Sequence, residues 1–328
     1  MLRLHPFTYH RPSTVDEALS LLAEHVGDVM PIAGGTDLVP NMKHKLFTPS
    51  HLVALKDIEA MHGIEEDGEG GLTIGACETL DSVASDPLVA ERYPSLARAC
   101  SEISGPQLRR MGTIGGNLCL DTRCTYYNQT FFWRKALGFC LKKDGDTCHV
   151  VPGGTRCVAA HSADTPPVLM TLGASAEIAG PEGRRTIEVS EFFTSDGVWN
   201  RKMEAGELVT SIRLPAPEPG TRTSFQKLRQ RKSIDFPILN LAVAARLDEE
   251  GVIRDLRIVA SAMNAYPRVV GRLEEAAIGN RLTDSVIEAV ATQAYRQCHP
   301  LENIVVDTEW RRAMVPVLVR RALREIAD

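Results

Sequence analysis

No uninterrupted apolar stretch approaches the ~20 residues a membrane-spanning helix needs, so no membrane span is expected. The opening, MLRLHPFTYHRP, lacks an apolar run and a small-residue cleavage site. It is not read as a secretory signal, and a reducing, cytoplasmic setting is expected. Basic charge is not in excess. The net charge is −5, which argues against a general nucleic-acid binder. The local basic runs, RQRK at Arg229–Lys232 and the arginines Arg311, Arg312, Arg320, Arg321 and Arg324, are expected to be solvated or partner-facing surface. Neither GxGxxG nor GxxxxGK[ST] occurs, so ordinary Rossmann or Walker nucleotide binding is not supported. No catalytic triad or paired-carboxylate signature stands out, and no catalytic residue is assigned.

What is present is an ordinary globular balance, 44% apolar and 24% charged, in 328 residues. That length exceeds the size at which one core usually stops growing, so more than one domain is expected. Ser13–Thr14 followed by Asp16–Glu17 reads as a capping box for a helix ending at Gly27. Short strands are expected at Val29–Ala33, Leu52–Leu55 and Leu72–Gly75, a helix at Pro94–Ser101, and a hairpin at Ala176–Ala179 and Arg185–Val189. A strand at Leu208–Leu214 precedes PAPEPG, the best linker candidate. Beyond it Thr223–Leu228, Leu239–Arg246 and Ile253–Ala260 alternate as antiparallel strands would, with helical patterns at Ser285–Gln297 and Thr308–Ala327. The expected fold is α+β. A two-part region spans 1–219, with a break near 65 at the acidic, glycine-rich turn Glu65–Gly71, and a sheet-and-helices domain spans 220–328.

Two glycine turns, IAGGTDL at Ile32–Leu38 and TIGGNL at Thr113–Leu118, could let backbone approach an anion, with Thr36, Thr113 and Asn117 as added donors. Each could equally be a tight bend. With DTPPVLMTLGA at Asp164–Ala174 and SFQKLRQRKSIDFPILNLAVAA at Ser224–Ala245, these turns resemble the FAD-binding subunit of the molybdenum hydroxylases, over nearly the whole chain. The resemblance implies an FAD diphosphate cradled by Ile32, Ala33, Gly34, Gly35, Thr36, Asp37 and Leu38. Thr113, Gly116 and Asn117 would complete the second side. It further implies Asp164 on ribityl or ribose hydroxyls and Lys227 near the flavin. The residues themselves also allow Asp164 to be a helix cap and Lys227 an ordinary strand lysine. One departure is GPQLRRMGTIGGN, where Pro106 replaces the family's frequent histidine and QIR stretch.

Five of the eight cysteines fall between Asn117 and Cys157. Four of them, Cys124, Cys140, Cys148 and Cys157, sit in a segment of about 120–160 that resembles an insertion relative to most members of the family. A long insertion with four thiols needs something to order it. The spacing C-x15-C-x7-C-x8-C has no tight zinc knuckle, and a [4Fe–4S] cluster, zinc and free buried thiols all remain open on chemistry alone. RCTYYNQ, GFCLK and DTCHV resemble the β subunit of the 4-hydroxybenzoyl-CoA reductase branch. That resemblance implies a [4Fe–4S] cluster on those four cysteines, with Cys119 excluded. It also implies partners: a small subunit with [2Fe–2S] clusters, a large subunit with the molybdenum cofactor and the substrate site, and a ferredoxin-like donor or acceptor. Cys77, Cys100 and Cys298 read as ordinary buried thiols, and His149 and His161 as solvated loop histidines. Tyr126, Tyr127, Phe131, Phe132 and Trp133 are expected to pack the insertion down.

Overall fold

A computed structural model describes residues 2–327. The first sheet is parallel. Strand β1 (Thr8–His10) leads into α1 (Val15–Glu24), β2 (Val29–Ile32), α2 (Leu38–Lys43) and β3 (His51–Ala54), with strand order β1-β3-β2. The capping box forms: Thr14 accepts the Glu17 N–H at 3.1 Å, and the Glu17 carboxylate reaches back to the Ser13 N–H at 2.7 Å. Helix α1 closes at His25, two residues before Gly27, whose φ is +90.

Residues 55–63 carry the chain into a second, antiparallel sheet begun by β4 (Ile64–Glu66) and β5 (Leu72–Gly75). The acidic turn expected to mark a subdomain break therefore closes a hairpin inside this sheet. Glycine and acid serve a tight exposed turn as well as a boundary, and the Asp67 carboxylate accepts the Glu69 and Gly71 N–H groups. Helices α3 (Leu80–Ser85), α4 (Pro87–Arg92), α5 (Pro94–Glu102), α6 (Pro106–Arg109) and α7 (Ile114–Leu118) follow. Leu96 and Cys100 of α5 are buried as its pattern predicts. The cysteine-rich segment contributes α8 (Phe131–Leu137), and α9 (Thr165–Thr171) returns to the body. Strands β6 (Ser175–Gly180), β7 (Gly183–Glu188) and β8 (Leu208–Leu214) complete the sheet, in the order β4-β5-β8-β6-β7.

A third sheet, order β12-β11-β10-β9, is built from β9 (Thr221–Leu228), β10 (Leu239–Leu247), β11 (Ile253–Ser261) and β12 (Arg268–Val269). Leu239, Leu241, Val243 and Ala245 of β10 face α10 (Asp284–Gln297) and α11 (Thr308–Ala327), while Ala242 joins the core of the preceding sheets. Both faces of β10 are thus covered. Among the described residues, no helix is long and apolar enough to cross a membrane.

The arginines of α11 do not form one exposed surface. Arg320 and Arg324 pair with Glu288 and Asp284 of α10, but Arg311 is buried and donates to the Leu301 and Ala262 carbonyls at 2.7 and 2.6 Å. A guanidinium has five donors, and backbone carbonyls at the sheet end satisfy them where water cannot.

Candidate functional site

The first glycine turn follows β2 directly, where the Ile32 carbonyl accepts the Leu55 N–H at 2.9 Å. The backbone N–H groups of Gly34, Gly35, Thr36 and Asp37 then have no partner in the chain among the described residues. Four consecutive free donors at the floor of a cleft suit an anion. The left-handed backbone needed for this favours glycine at Gly35, whose φ is +68. Gly34 is held for a different reason. A Cβ there would overlap the Met111 carbonyl, just ahead of the second turn.

That second turn is built differently from expectation. The N–H groups of Ile114, Gly115, Gly116 and Asn117 are already used: Ile114 on Glu78 at 3.0 Å, Gly115 on Ala76 at 2.9 Å, and Gly116 and Asn117 on the side chain and backbone of Thr113. It therefore offers no second anion nest. Thr113 caps α7, and the Asn117 side-chain oxygen is bound by the Thr165 N–H and hydroxyl, so this turn braces the first against α9.

Between the two turns lies a cleft of about 720 Å³, within the ~300–1,000 Å³ typical of cofactor pockets. Ile32 through Leu38, Thr113, Gly116, Asn117 and Asp164 all line it. Lys227 does not. It stands behind Asp164, with its ammonium 2.8 Å from one carboxylate oxygen and 3.1 Å from the Glu102 carbonyl, while Asn240 donates to the other carboxylate oxygen at 2.8 Å. Asp164 makes no side-chain cap on α9. Burial raises its pKa, opposed by Lys227 and then Asn240. The Asp37 carboxylate turns away from the free N–H groups to Arg123 at 3.1 Å and Asn41 at 2.9 Å. Arg123 in turn covers the Phe236 ring at 4.0 Å, bridging the first turn to the loop between β9 and β10.

Sequence reasoning missed the far wall, Trp199, Arg201, Met203 and Phe236. Arg201 lies 4.3 Å over Trp199 and also donates to the Cys119 carbonyl. An isolated Trp-x-Arg carries no motif, and only the folded loop brings it opposite the glycine turns.

The cysteine-rich segment folds beside this cleft. Cys124, Cys140, Cys148 and Cys157 are each buried and together line one small pocket of about 20 Å³. Cys140 sits in a tight loop between two left-handed residues, Phe139 (φ 62) and Asp144 (φ 65), and its carbonyl accepts the Lys143 and Gly145 N–H groups. The Ala159 N–H points at the Cys157 sulfur at 3.4 Å. Burial pushes the Cys124 thiol up to about 12 and the Cys157 thiol up to about 11, so metal binding here would release protons. Cys119 lines the large cleft, against Met203, and is separate from this pocket.

Lys142 and Tyr127 line both the pocket and the cleft. The Lys142 ammonium is 4% exposed and donates to Asp121 at 2.7 Å, Thr122 at 2.8 Å and the Gly197 carbonyl at 2.5 Å. Tyr127 donates to the same Asp121 at 2.9 Å. Of the aromatic patch, only Tyr127 is fully packed; Phe131, Phe132 and Trp133 are exposed, Phe132 by 82%. The inward position of α8 is taken by Arg134, which holds the Lys45 carbonyl at 3.0 Å and Asp144 at 3.1 Å. Its aromatics are thereby rotated outward. His149 contacts the pocket and bonds the Phe139 carbonyl at 2.5 Å. His161 is wholly buried, because its backbone is bonded on both sides to the Ala262–Asn264 loop of the third sheet. Neither is a solvated loop histidine. Cys77, Cys100 and Cys298 are buried, and burial raises all three thiols.

Residues 5–217 match the FAD binding domain in molybdopterin dehydrogenase, and residues 224–326 match the CO dehydrogenase flavoprotein C-terminal domain. The chain belongs to the FAD-binding subunits of the molybdenum hydroxylase family. It is 31% identical to the carbon monoxide dehydrogenase medium chain of Hydrogenophaga pseudoflava, over 97% of this chain and 96% of that one. The aldehyde oxidoreductase FAD-binding subunit PaoB of Escherichia coli is 34% identical over 75% of this chain and 79% of its own. Among solved structures, reconstituted CO dehydrogenase from Oligotropha carboxidovorans superposes with a TM-score of 0.82 at 27% identity, covering 99% of each chain. The α+β architecture, with its C-terminal antiparallel sheet, is the one expected. The chain is an oxidoreductase flavoprotein subunit of the molybdenum hydroxylase type. Four unpartnered N–H groups, a glycine where no Cβ fits and a cleft of cofactor size are what an FAD diphosphate requires of the residues present.

Proposed function

We propose that this chain is the electron-relay subunit of a molybdenum-dependent complex, and that Cys124, Cys140, Cys148 and Cys157 hold a [4Fe–4S] cluster beside its FAD. The observation that carries the reading is the convergence of four thiols, distant in sequence, on one small pocket whose wall is shared with the flavin cleft. The sequence spacing C-x15-C-x7-C-x8-C, without a tight C-x2–4-C knuckle, favours a cluster over zinc. A cubane holds each sulfur at a separate iron corner and takes such widely spaced ligands.

In this reading the free N–H groups of Gly34 to Asp37 bind the FAD diphosphate, and Ile32, Ala33 and Leu38 shape the floor. Thr113, Gly116 and Asn117 brace the opposite side. Asp164 accepts from a ribityl or ribose hydroxyl, and Lys227 fixes the charge and rotamer of Asp164 from behind. Bound FAD and cluster supply one- and two-electron transfer between a ferredoxin-like donor or acceptor and the partners' [2Fe–2S] and molybdenum centres. Those partners are a small iron–sulfur subunit and a large molybdenum subunit, the latter carrying the substrate. The branch we assign is 4-hydroxybenzoyl-CoA reductase-like, the reductive dehydroxylation of an aromatic acyl-CoA, in the cytoplasm.

The test is metal, sulfide and flavin analysis of the complex purified anaerobically. Serine at Cys124, Cys140, Cys148 or Cys157 should remove cluster iron while FAD remains, and Cys119→Ser should keep both. Zinc in place of iron and sulfide, or iron unchanged in all four variants, would overturn the assignment.

A further inference from the structure

A second group of metal-ligating side chains lines neither the cleft nor the thiol pocket. His10 ends β1, His25 closes α1 and His51 begins β3, and one ring nitrogen from each lies within 4.8 Å of the other two. We propose that these three histidines form a binding site for one divalent transition-metal ion of the zinc class.

Three observations support it. The first is spacing. The His10 Nε2 and His51 Nδ1 atoms are 2.9 Å apart. Two nitrogens bound at ~2.1 Å to one metal, at angles near 90–110°, would lie about 3.0–3.4 Å apart, so this hydrogen-bonded pair is close to ligand separation. The second is availability. Apart from that single ring-to-ring contact, the three imidazoles make no side-chain hydrogen bond in the chain among the described residues, although all are half-buried. Imidazole nitrogen suits zinc, copper and nickel.

The third is the surroundings. Asp28 joins the histidines through its backbone, its N–H donating to the His25 carbonyl at 3.0 Å and its carbonyl accepting the His51 N–H at 3.1 Å. This fixes the His25 and His51 rings 3.7 Å apart. The Asp28 carboxylate is anchored by the Ser50 N–H at 2.8 Å and lies next to His51 and His5, while Glu24 is 4.0 Å from His25. Two carboxylates and the carbonyl end of α1 offset a dication held by neutral ligands. The rings are now nearly parallel, at 11° to 29°, so binding requires them to fan out until their in-plane lone pairs converge. Their half-exposed side gives room for that rotation. A bound ion would clamp β1 and the end of α1 to β3, fastening the sheet from which the Gly34–Asp37 turn emerges.

Zinc and its spectroscopic substitute cobalt(II) distinguish this site from the thiol pocket. The full chain carrying Cys124→Ser and Cys148→Ser, stripped with chelator, is titrated with each metal. One equivalent should bind, raise the unfolding midpoint, and give a cobalt spectrum without sulfur-to-metal charge transfer. His51→Ala should weaken binding more than about ten-fold. His25→Asn, at the exposed end of α1, is the second variant should His51→Ala fail to fold, and it should behave likewise. No bound equivalent, or one that survives with unchanged affinity in the histidine variants, would overturn the proposal.

Discussion

Replacing Lys227 by methionine removes the cation behind Asp164 while nearly keeping the volume of its stem. The pair is out of water, with side chains 0% and 5% exposed and 2.8 Å between charged atoms. Methionine leaves Asp164 with the Asn240 amide as its remaining side-chain partner. Removing one member of a buried ion pair typically costs about 3–5 kcal/mol, because the other charge stays without compensation. For a chain this large that lowers the thermal midpoint on the order of ten degrees. The pH dependence identifies the cause. Burial already pushes Asp164 up and Lys227 is the first influence opposing it, so the variant raises Asp164 further. A carboxyl whose folded pKa exceeds its unfolded value holds its proton better when folded. Stability is then fully present below the ordinary carboxyl pKa and is lost as pH rises through the folded value. Lys227→Met should therefore be closest to wild type in acid and fall further behind toward neutrality. Adding Asp164→Asn should restore most of the loss, since a neutral amide needs no cation. Flavin release and unfolding are followed by fluorescence and circular dichroism across pH. An Asp164→Asn/Lys227→Met double variant no more stable than Lys227→Met at neutral pH would refute the reasoning.

Other substitutions probe separate features. Gly34→Ala puts a methyl into the Met111 carbonyl, so the two glycine turns must move apart and flavin content should fall sharply in a chain that still folds; full FAD occupancy would contradict the proposed cradle. Burial depresses the His161 imidazole from 6.5 to about 3, so its stabilising contribution is present above about 6.5 and is lost as pH falls toward 3. His161→Leu should remove about 2 kcal/mol of the acid destabilisation at about pH 5, read from urea melts at about pH 5 and about pH 8. Arg311→Met leaves several buried carbonyls without donors and should cost roughly 2–4 kcal/mol by urea melts, whereas Arg321→Met on the exposed side of α11 should be nearly neutral.

Local signals were readable wherever the partner of a residue is near it in sequence. The capping box at Thr14–Glu17, the hairpin of β6 and β7 and the two-residue alternation of β9 to β11 depend on contacts within a few positions or on one repeated face. The glycine turns were visible as turns, but not their division of labour. Whether an N–H is free depends on Glu78 and Ala76, which are far from Ile114 and Gly115 in sequence. The same reason hid Arg311 and His161, since a charged or polar residue in a helix or loop looks solvated until its long-range carbonyls are known. It hid the outward turn of Phe131, Phe132 and Trp133 as well, because the Lys45 carbonyl that draws Arg134 inward lies in another segment.

The coupling of the two pockets belongs to this last kind. Asp121 lines the cleft, and its two carboxylate oxygens are shared between the Lys142 ammonium and the Tyr127 hydroxyl, both of which also face the thiols. Lys142 further lies 4.7 Å from the Tyr127 ring and lowers the Cys157 thiol against the upward push of burial. A cation placed there favours the charged form of the buried Cys157 sulfur and is hydrogen-bonded to an aspartate of the cleft, so the two pockets share one charged wall. That connection runs through Lys142, whose side chain is only 4% exposed although it lies in the cysteine-rich segment.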